Sequence, residues 1–348
     1  MRHLIKIPKT YNFCIDHFTD LMLASRFSSH GNNRELVKLI VGNGSNINDK
    51  NKYGKSALTY SIEHSNTDSN YETVKYLIKN GANINNKDND GMSSLMYAVT
   101  ISNNCKLIKY LIKKGGGIND KNNCDKTVLM YAISHLTINA YKIIKFLIKN
   151  GANINDKNGF GDTILLYVAY NMDKLDNPIK LVEYLIVKGI DINYKNRYNH
   201  TALNIFCNKF NKFSNNYPVK DIIKLLIKNG ANVNIKNEYG ETQFINIINR
   251  FAQHSDFKLV KLFISKGANV NFKNNKCETA LMISSYSYNL VKLLLDNKAD
   301  VYIKNMEGKN IFKMLENNPE LTDIYSLIFN YKNIKGDTFC EHDINFIY

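Results

Sequence analysis

The sequence predicts an all-α solenoid of about nine helix–turn–helix repeats with projecting β-turns, and two observations lead to that prediction. A segment resembling "LIKNGANIN" occurs eight times, identically at 77–85 and 147–155 and almost identically at 226–234. Its glycine, here called the landmark, returns every 31 to 41 residues. A repeat of this length is typical of a solenoid, in which stacked repeats bury one continuous core. The landmark positions are Gly44, Gly81, Gly115, Gly151, Gly189, Gly230, Gly267 and Lys298.

The variation in repeat length is confined to one place. Twelve residues after each landmark stands a threonine or a substitute for it: Ser56, Ser93, Thr127, Thr163, Thr201, Thr242, Thr279 and Asn310. Six residues before each landmark stands a polar, usually basic residue: Lys38, Lys75, Lys109, Lys145, Glu183, Lys224, Lys261 and Lys292. Neither interval changes, so every insertion lies between the two helices of a repeat.

Each repeat has the pattern of two helices joined by a tight turn. The segment after the threonine, such as "TVLMYAIS", is apolar at helical spacing, and threonine suits the N-cap. The second run, such as "IIKFLIK", has one polar position among apolar ones, as expected of a helix packed on neighbours. The landmark suits the left-handed C′ position, where Lys298 should cost about 1 kcal/mol. A second glycine, ten residues after the landmark as at Gly54, is replaced by Asp125, Asn199 and Cys277.

These residues resemble the ankyrin-repeat family. The family's G-A-D-V-N signature matches 151–155 and 267–271, and Thr201-Ala202-Leu203 fits its T-P-L frame without the proline. The resemblance implies two antiparallel helices and a projecting β-turn per repeat. The family's histidine is replaced by Met22, Thr59, Met96, Met130, Leu166, Asn204, Ile245 and Met282. Its threonine–histidine hydrogen bonding should therefore give way to apolar packing. The Asn/Lys/Ile-rich style resembles the ankyrin proteins of giant DNA viruses such as mimivirus.

The resemblance covers nearly the whole chain. We expect an N-terminal lead-in at 1–17, one solenoid at 18–330 and a C-terminal tail at 331–348, with no linker or second domain. The expected repeats lie near 18–53, 54–90, 91–124, 125–160, 161–198, 199–239, 240–276, 277–307 and 308–330.

The composition favours a soluble intracellular protein, in the host cytoplasm or nucleus if the protein is viral. The formal net charge of +15 invites an anionic partner. Asn, Lys, Ile and Tyr have AT-rich codons, however, so part of this charge can reflect genome composition. Six cysteines without C-x-x-C spacing predict reduced thiols, and no apolar run is long enough to span a membrane.

The chemical alternatives are weak. The glycine-rich stretch from Lys149 to Asp162 follows the end of a helix, whose negative dipole end repels phosphate. The eight histidines form no spaced ligand cluster, and no acid–base pair or nucleophile motif is present. We therefore expect no enzyme activity, no cofactor and no metal.

We expect a non-catalytic scaffold, monomeric, that binds another protein through its turn tips and first helices, such as a viral protein engaging a host factor. The candidate contact residues are Tyr53, His64, Asp90, His135, Phe160, Tyr170, Tyr198, Tyr239, Arg250 and Tyr286. An aromatic residue at a tip can instead pack between neighbouring turns. The alternative function is nucleic-acid association through the second-helix lysine row.

The insertions offer another candidate surface. The segments at 65–73, 171–179 and 208–221 should bulge at the edge opposite the turns, either as longer helices or as protruding loops. Insertions on one face of a solenoid often mark a binding face, so this ridge is a further hypothetical contact region.

Overall fold

The computed structural model describes residues 18–30, 32–64, 68–101, 105–136, 139–212, 217–236, 240–251, 257–316 and 321–334. The chain divides into two compact units, Met1–Ile190 (unit 1) and Asp191–Tyr348 (unit 2). Each unit is built from pairs of antiparallel helices, one pair for each repeat.

The described residues form nine helix pairs. Unit 1 contains α1 (Asp20–Arg26), α2 (Asn33–Gly42), α3 (Ala57–Glu63), α4 (Asp68–Lys79), α5 (Ser94–Ile101), α6 (Cys105–Lys113), α7 (Val128–His135), α8 (Ala140–Lys149), α9 (Ile164–Asn171) and α10 (Pro178–Val187). Unit 2 contains α11 (Ala202–Lys212), α12 (Tyr217–Lys228), α13 (Gln243–Phe251), α14 (Lys258–Ser265), α15 (Ala280–Ile283), α16 (Tyr288–Asp296), α17 (Ile311–Leu315) and α18 (Thr322–Ile334). Odd-numbered helices are the first helices of their repeats, and even-numbered helices are the second.

The two helices of a repeat bury different proportions of their surface. The first helix α9 is buried from Ile164 to Ala169 without interruption, as expected of a helix that is apolar all round. The second helix α8 buries only Ala140, Ile143, Ile144 and Leu147. These four residues lie on one stripe of the helix, which leaves its lysines outside the core. The predicted all-α repeat architecture is confirmed.

The turn residues have the backbone conformation that the sequence predicts. All seven landmark glycines have positive φ, and Lys298 takes the same left-handed conformation with φ 67°. At the second position, Asp125, Asn199 and Cys277 replace glycine with φ of 57°, 59° and 57°. Aspartate and asparagine tolerate this region, whereas cysteine is strained there.

The predicted N-caps are only partly correct. The Thr127 hydroxyl accepts a hydrogen bond of 3.3 Å from the backbone N–H of Met130 at the start of α7. Thr163 makes no such bond at the start of α9. Within the described residues, the buried hydroxyls of Ser93 and Thr242 have no hydrogen-bond partner. Apolar packing therefore starts these helices without side-chain capping.

The loss of the family's histidine has the predicted result in most repeats. Met96, Met130 and Ile245 are all buried at that position. Two repeats keep a polar pair instead: Ser56 and Thr59 form a reciprocal capping box, and the Thr201 hydroxyl bonds to the Asn204 side chain. The prediction that apolar packing replaces hydrogen bonding is therefore wrong for these two repeats.

Asparagines four residues after the landmark join successive repeats, and we call these contacts the asparagine bridges. The Asn119 amide donates to the Gly151 carbonyl at 2.9 Å. Its oxygen accepts from the Asn153 N–H at 2.8 Å. Equivalent two-way bridges are made by Asn48 in unit 1 and by Asn193, Asn234 and Asn271 in unit 2. One side chain thus satisfies both a helix-end carbonyl and a loop N–H of the next repeat.

The insertions add buried residues as well as length. Helices α11 and α12 extend to 11 and 12 residues, and Phe210 and Val219 from this insertion are buried. The insertion after α9 forms a short 3-10 turn at Met172–Lys174 and buries Leu175. These apolar residues of the insertions are therefore packed into the core and do not contribute contact surface to the hypothetical ridge.

The two glycines of the turn should differ in their tolerance of alanine. Nothing lies within 4 Å of a Cβ built on Gly81, so Gly81→Ala should cost about 1 kcal/mol through left-handed strain alone. A Cβ on Gly91 would lie 2.8 Å from the Asn123 backbone N. Gly91→Ala should therefore cost more than about 2 kcal/mol in urea unfolding, because overpacking adds to strain. Equal losses for the two variants would contradict this assignment.

The asparagine bridges predict that alanine substitutions at two equivalent asparagines differ in their effect on the free energy of unfolding. Asn119→Ala removes two hydrogen bonds between repeats and should lower the free energy of unfolding by about 1–2 kcal/mol. Asn155 occupies the same position in the next repeat and is exposed, but its side chain makes no bridge among the described residues. Asn155→Ala is the matched control and should change stability by less than about 0.5 kcal/mol. Thermal and urea unfolding of both variants checks the difference, and a larger loss for Asn155→Ala would exclude the bridge as its cause.

Candidate protein-binding surface

The turn tips of unit 1 are rigidly held by a polar residue seven positions after each landmark. Asn51 accepts backbone hydrogen bonds from Tyr53 and Lys55, both at 3.0 Å. Asp88 does the same for Asp90 at 2.9 Å and Met92 at 2.8 Å. Side chains at the tips are therefore presented from a fixed backbone.

Neighbouring tips are also bonded to each other. The Asn89 N–H donates to the Tyr53 carbonyl at 3.1 Å, and the Asn123 N–H donates to the Asp90 carbonyl at 3.0 Å. The Asn89 amide adds a 2.9 Å bond to the Lys52 carbonyl. The first three tips of unit 1 therefore form one continuous polar edge.

A cleft of about 630 Å³ lies between this edge and the first helices. Its lining combines aromatic rings, cations and carboxylates: Phe18, Arg26, Lys52, Tyr53, Lys55, Tyr60, Glu63, Asp88, Asn89 and Asp90. Two of the predicted contact residues, Tyr53 and Asp90, meet here. Both are exposed, so a partner can reach them.

Lys55 occupies the centre of a network in this cleft. Its ammonium bonds to Glu63 at 2.5 Å. It also lies 5.9 Å from the Tyr60 ring centroid and 5.0 Å from that of Tyr97. The Tyr97 hydroxyl donates to Asp88 at 2.5 Å. These contacts fix the wall of the cleft before any partner binds, which limits the side-chain entropy lost on association.

Burial shifts the pKa of two groups that lie next to the cleft lining, Tyr97 and His64. Burial and the hydrogen bond to Asp88 raise the pKa of Tyr97 well above its ordinary value, so the hydroxyl remains a donor. Burial lowers the pKa of His64 despite its bond to the Tyr60 carbonyl, and the positive charge of Arg26 lowers it further. His64 is therefore predominantly neutral at neutral pH.

Arg26 extends the network towards the first repeat. Its guanidinium lies 5.5 Å from the Tyr60 ring centroid and 5.7 Å from that of Phe27. The cleft therefore offers aromatic faces beside both signs of charge. Such a surface suits polar and charged side chains of another protein.

The other predicted contact residues do not join this cleft. His135 stacks on Tyr131 at the end of α7, with ring centroids 5.7 Å apart. Phe160 and Tyr198 are exposed at other tips, and Tyr170 and Tyr286 are exposed near the ends of first helices. Tyr239 and the side chain of Arg250 lie outside the described residues.

The second-helix lysine row is not a uniform band of charge. Lys38, Lys75 and Lys224 each bond to a carboxylate three residues earlier, at 2.8, 2.5 and 3.0 Å. Glu183 occupies the row position in α10. Pairing and the acidic substitution reduce the net charge that the row offers to a polyanion.

The described part of the chain contains neither a candidate metal site nor a candidate membrane-spanning helix. No group of three or more His, Cys, Asp or Glu side chains there is placed to hold a metal ion. No helix there has the length and apolar character needed to cross a bilayer.

The sequence prediction missed Phe18, Lys55, Tyr60 and Asp88. A spacing signal was present, because a tyrosine follows the position-seven residue by nine residues in four repeats of unit 1: Tyr60, Tyr97, Tyr131 and Tyr167. In each repeat the two side chains are hydrogen-bonded. A recurring polar–tyrosine pair could therefore have identified the cleft wall.

Comparison with known proteins agrees with this architecture. A family model described as ankyrin repeats in three copies matches residues 21–122, 69–158, 96–196 and 213–305. A putative ankyrin repeat protein of Acanthamoeba polyphaga mimivirus is 41% identical over 51 residues. That match covers 15% of this chain and only 7% of the mimivirus protein. It therefore supports the ankyrin-repeat family and the resemblance to viral ankyrin proteins, and nothing beyond them. The family model covers most of the chain, and the protein is a member of the ankyrin-repeat family.

Proposed function

We propose that this protein is a non-catalytic scaffold that binds another protein through the cleft of unit 1. Ankyrin repeats generally mediate protein–protein interaction. The observation that carries the proposal is the meeting of Tyr53 and Asp90 in a cleft with a prearranged wall. Tyrosine and arginine are enriched at the centres of binding energy in protein interfaces, and the cleft lining contains Tyr53, Tyr60 and Arg26.

The partner is proposed to be a host protein. The similarity of one segment to a mimivirus ankyrin protein supports a viral style of sequence. A virus-encoded scaffold without catalytic groups acts through the proteins that it brings together. The mixed charges of the cleft favour a partner segment with both basic and acidic side chains, which complements Asp90 and Lys52.

The test compares two tip residues that occupy the same position in their repeats. Tyr53 is 53% exposed and Phe160 is 52% exposed, but only Tyr53 lines the cleft. Tagged wild-type protein, the Tyr53→Ala/Asp90→Lys variant and the Phe160→Ala control would be used to capture proteins from an Acanthamoeba lysate at two salt concentrations. Mass spectrometry would identify specific partners that persist at high salt and after nuclease treatment.

We expect the double variant to lose those partners and the control to retain them. With a purified partner, calorimetry should show a loss of at least about 2 kcal/mol, or roughly thirtyfold in affinity, for the double variant. Equal capture by the wild type and the double variant would exclude the cleft. Loss of capture by Phe160→Ala alone would assign recognition to another tip.

A further inference from the structure

Helices α6 and α8 of unit 1 have an unusual charge. Each carries three lysines and neither carries an Asp or Glu. The other second helices are less positive: α4 has two lysines against two carboxylates, α12 has three lysines against one, and α14 has two lysines. We call this surface the α6–α8 face; its lysines are Lys106, Lys109, Lys113, Lys142, Lys145 and Lys149.

Aromatic rings alternate with the lysines across this face. The Lys109 ammonium lies 5.7 Å from the Phe146 ring centroid, so a lysine of α6 lies over a ring of α8. The Lys145 ammonium lies 5.6 Å from the Tyr141 ring and 5.5 Å from the Tyr184 ring of α10. These rings are only partly buried. The surface therefore presents aromatic groups and cations side by side.

A shallow groove of about 320 Å³ lies between the two helices. Ile108, Ile143 and Phe146 contribute apolar surface, and Lys109 and Lys142 contribute ammonium groups. Cys105 and Asn139 complete the lining. An apolar groove with two ammonium groups beside it can bind a flat ring that is attached to a negatively charged group.

Carboxylates lie at the borders of the face. Glu72 on α4 bonds to Lys75, and Glu183 lies on α10. Asp176 accepts a 3.2 Å bond from the Tyr141 N–H at the start of α8. Because these carboxylates lie on the neighbouring elements, the surface without acidic residues is confined to α6 and α8.

We propose that the α6–α8 face binds single-stranded nucleic acid. Its phosphates would contact the lysines, and an unpaired base would enter the groove against Phe146. Duplex nucleic acid keeps its bases stacked internally and would leave the groove unused. An anionic membrane is a poorer fit, because none of the large apolar side chains that are exposed among the described residues lies on α6 or α8. This face is separate from the cleft, so it adds a second partner to the proposed scaffold.

The test measures fluorescence anisotropy with labelled 20-nucleotide oligo(dT) and oligo(U), using the full chain at several salt concentrations. The test variant is Lys109→Gln/Lys142→Gln/Lys145→Gln. The control Lys38→Gln/Lys224→Gln/Lys292→Gln removes the same number of charges from second helices that also carry acids. Circular dichroism and thermal midpoints establish that both variants keep the fold.

We expect the test variant to bind at least tenfold more weakly and the control to stay within about twofold of wild type. The slope of log affinity against log salt should fall by about 2 for the test variant, since three phosphate contacts are lost. Phe146→Leu should weaken binding at least about fivefold without changing that slope, because it removes base stacking while keeping the groove apolar.

Three outcomes would overturn the proposal. Equal weakening by the test and control triples would mean that overall charge alone attracts the oligonucleotide. Unchanged binding by Phe146→Leu would exclude base stacking and hence the single-strand assignment. If the wild-type protein does not bind the oligonucleotides at physiological salt, the site is excluded, whether or not the protein binds vesicles that contain phosphatidylserine. The Tyr53→Ala/Asp90→Lys variant should retain full oligonucleotide binding, which separates this proposal from that of the cleft.

Discussion

The asparagine bridges are the interaction on which the arrangement of the repeats depends. A helix that ends in a left-handed residue leaves carbonyl groups without partners, and the following loop leaves N–H groups without partners. One amide side chain can satisfy both kinds of group, as Asn119 does for Gly151 and Asn153. The bridge joins the loop of one repeat to the helix end and loop of the next across 27 to 39 residues of chain, so it tolerates insertions of different length between the two helices. Stability then accumulates repeat by repeat, as expected for a solenoid.

The backbone of the turns was predictable because it obeys a local rule. A left-handed position selects glycine, asparagine or aspartate, and even the exceptions Lys298 and Cys277 could be located by counting residues. The capping of helices was less predictable, because a buried threonine such as Thr242 can be held by apolar packing without its hydrogen bond. The insertions were predicted only as longer helices or protruding loops, because the burial of Phe210 and Leu175 depends on neighbouring helices that no single segment reveals. Asparagine, one of the residues with AT-rich codons, also has a structural role in the bridges.

The candidate site was less predictable from the sequence than the fold was. Tyr53 and Asp90 were predicted individually, but their meeting with Lys55, Tyr60 and Asp88 depends on the stacking of one repeat on the next. The lysine row was likewise predicted as a line of equivalent residues. Pairing with carboxylates distinguishes its members, and only the structure shows that Lys109 and Lys145 lie over aromatic rings of neighbouring helices. Position along the sequence thus predicts which residues are exposed, and packing determines which of them act together.

The absence of carboxylates from α6 and α8 has a consequence for the protein without any ligand. Six like charges on two adjacent helices repel one another, and this repulsion raises the free energy of the folded state. Surface ion pairs weaken in salt, whereas repulsion of this kind is relieved by it. Dissolved salt should therefore stabilise this part of unit 1, opposite to its effect on the paired lysines of α2 and α12. A bound polyanion would have the same stabilising effect at much lower concentration, so the protein would become more resistant to unfolding when this face is occupied.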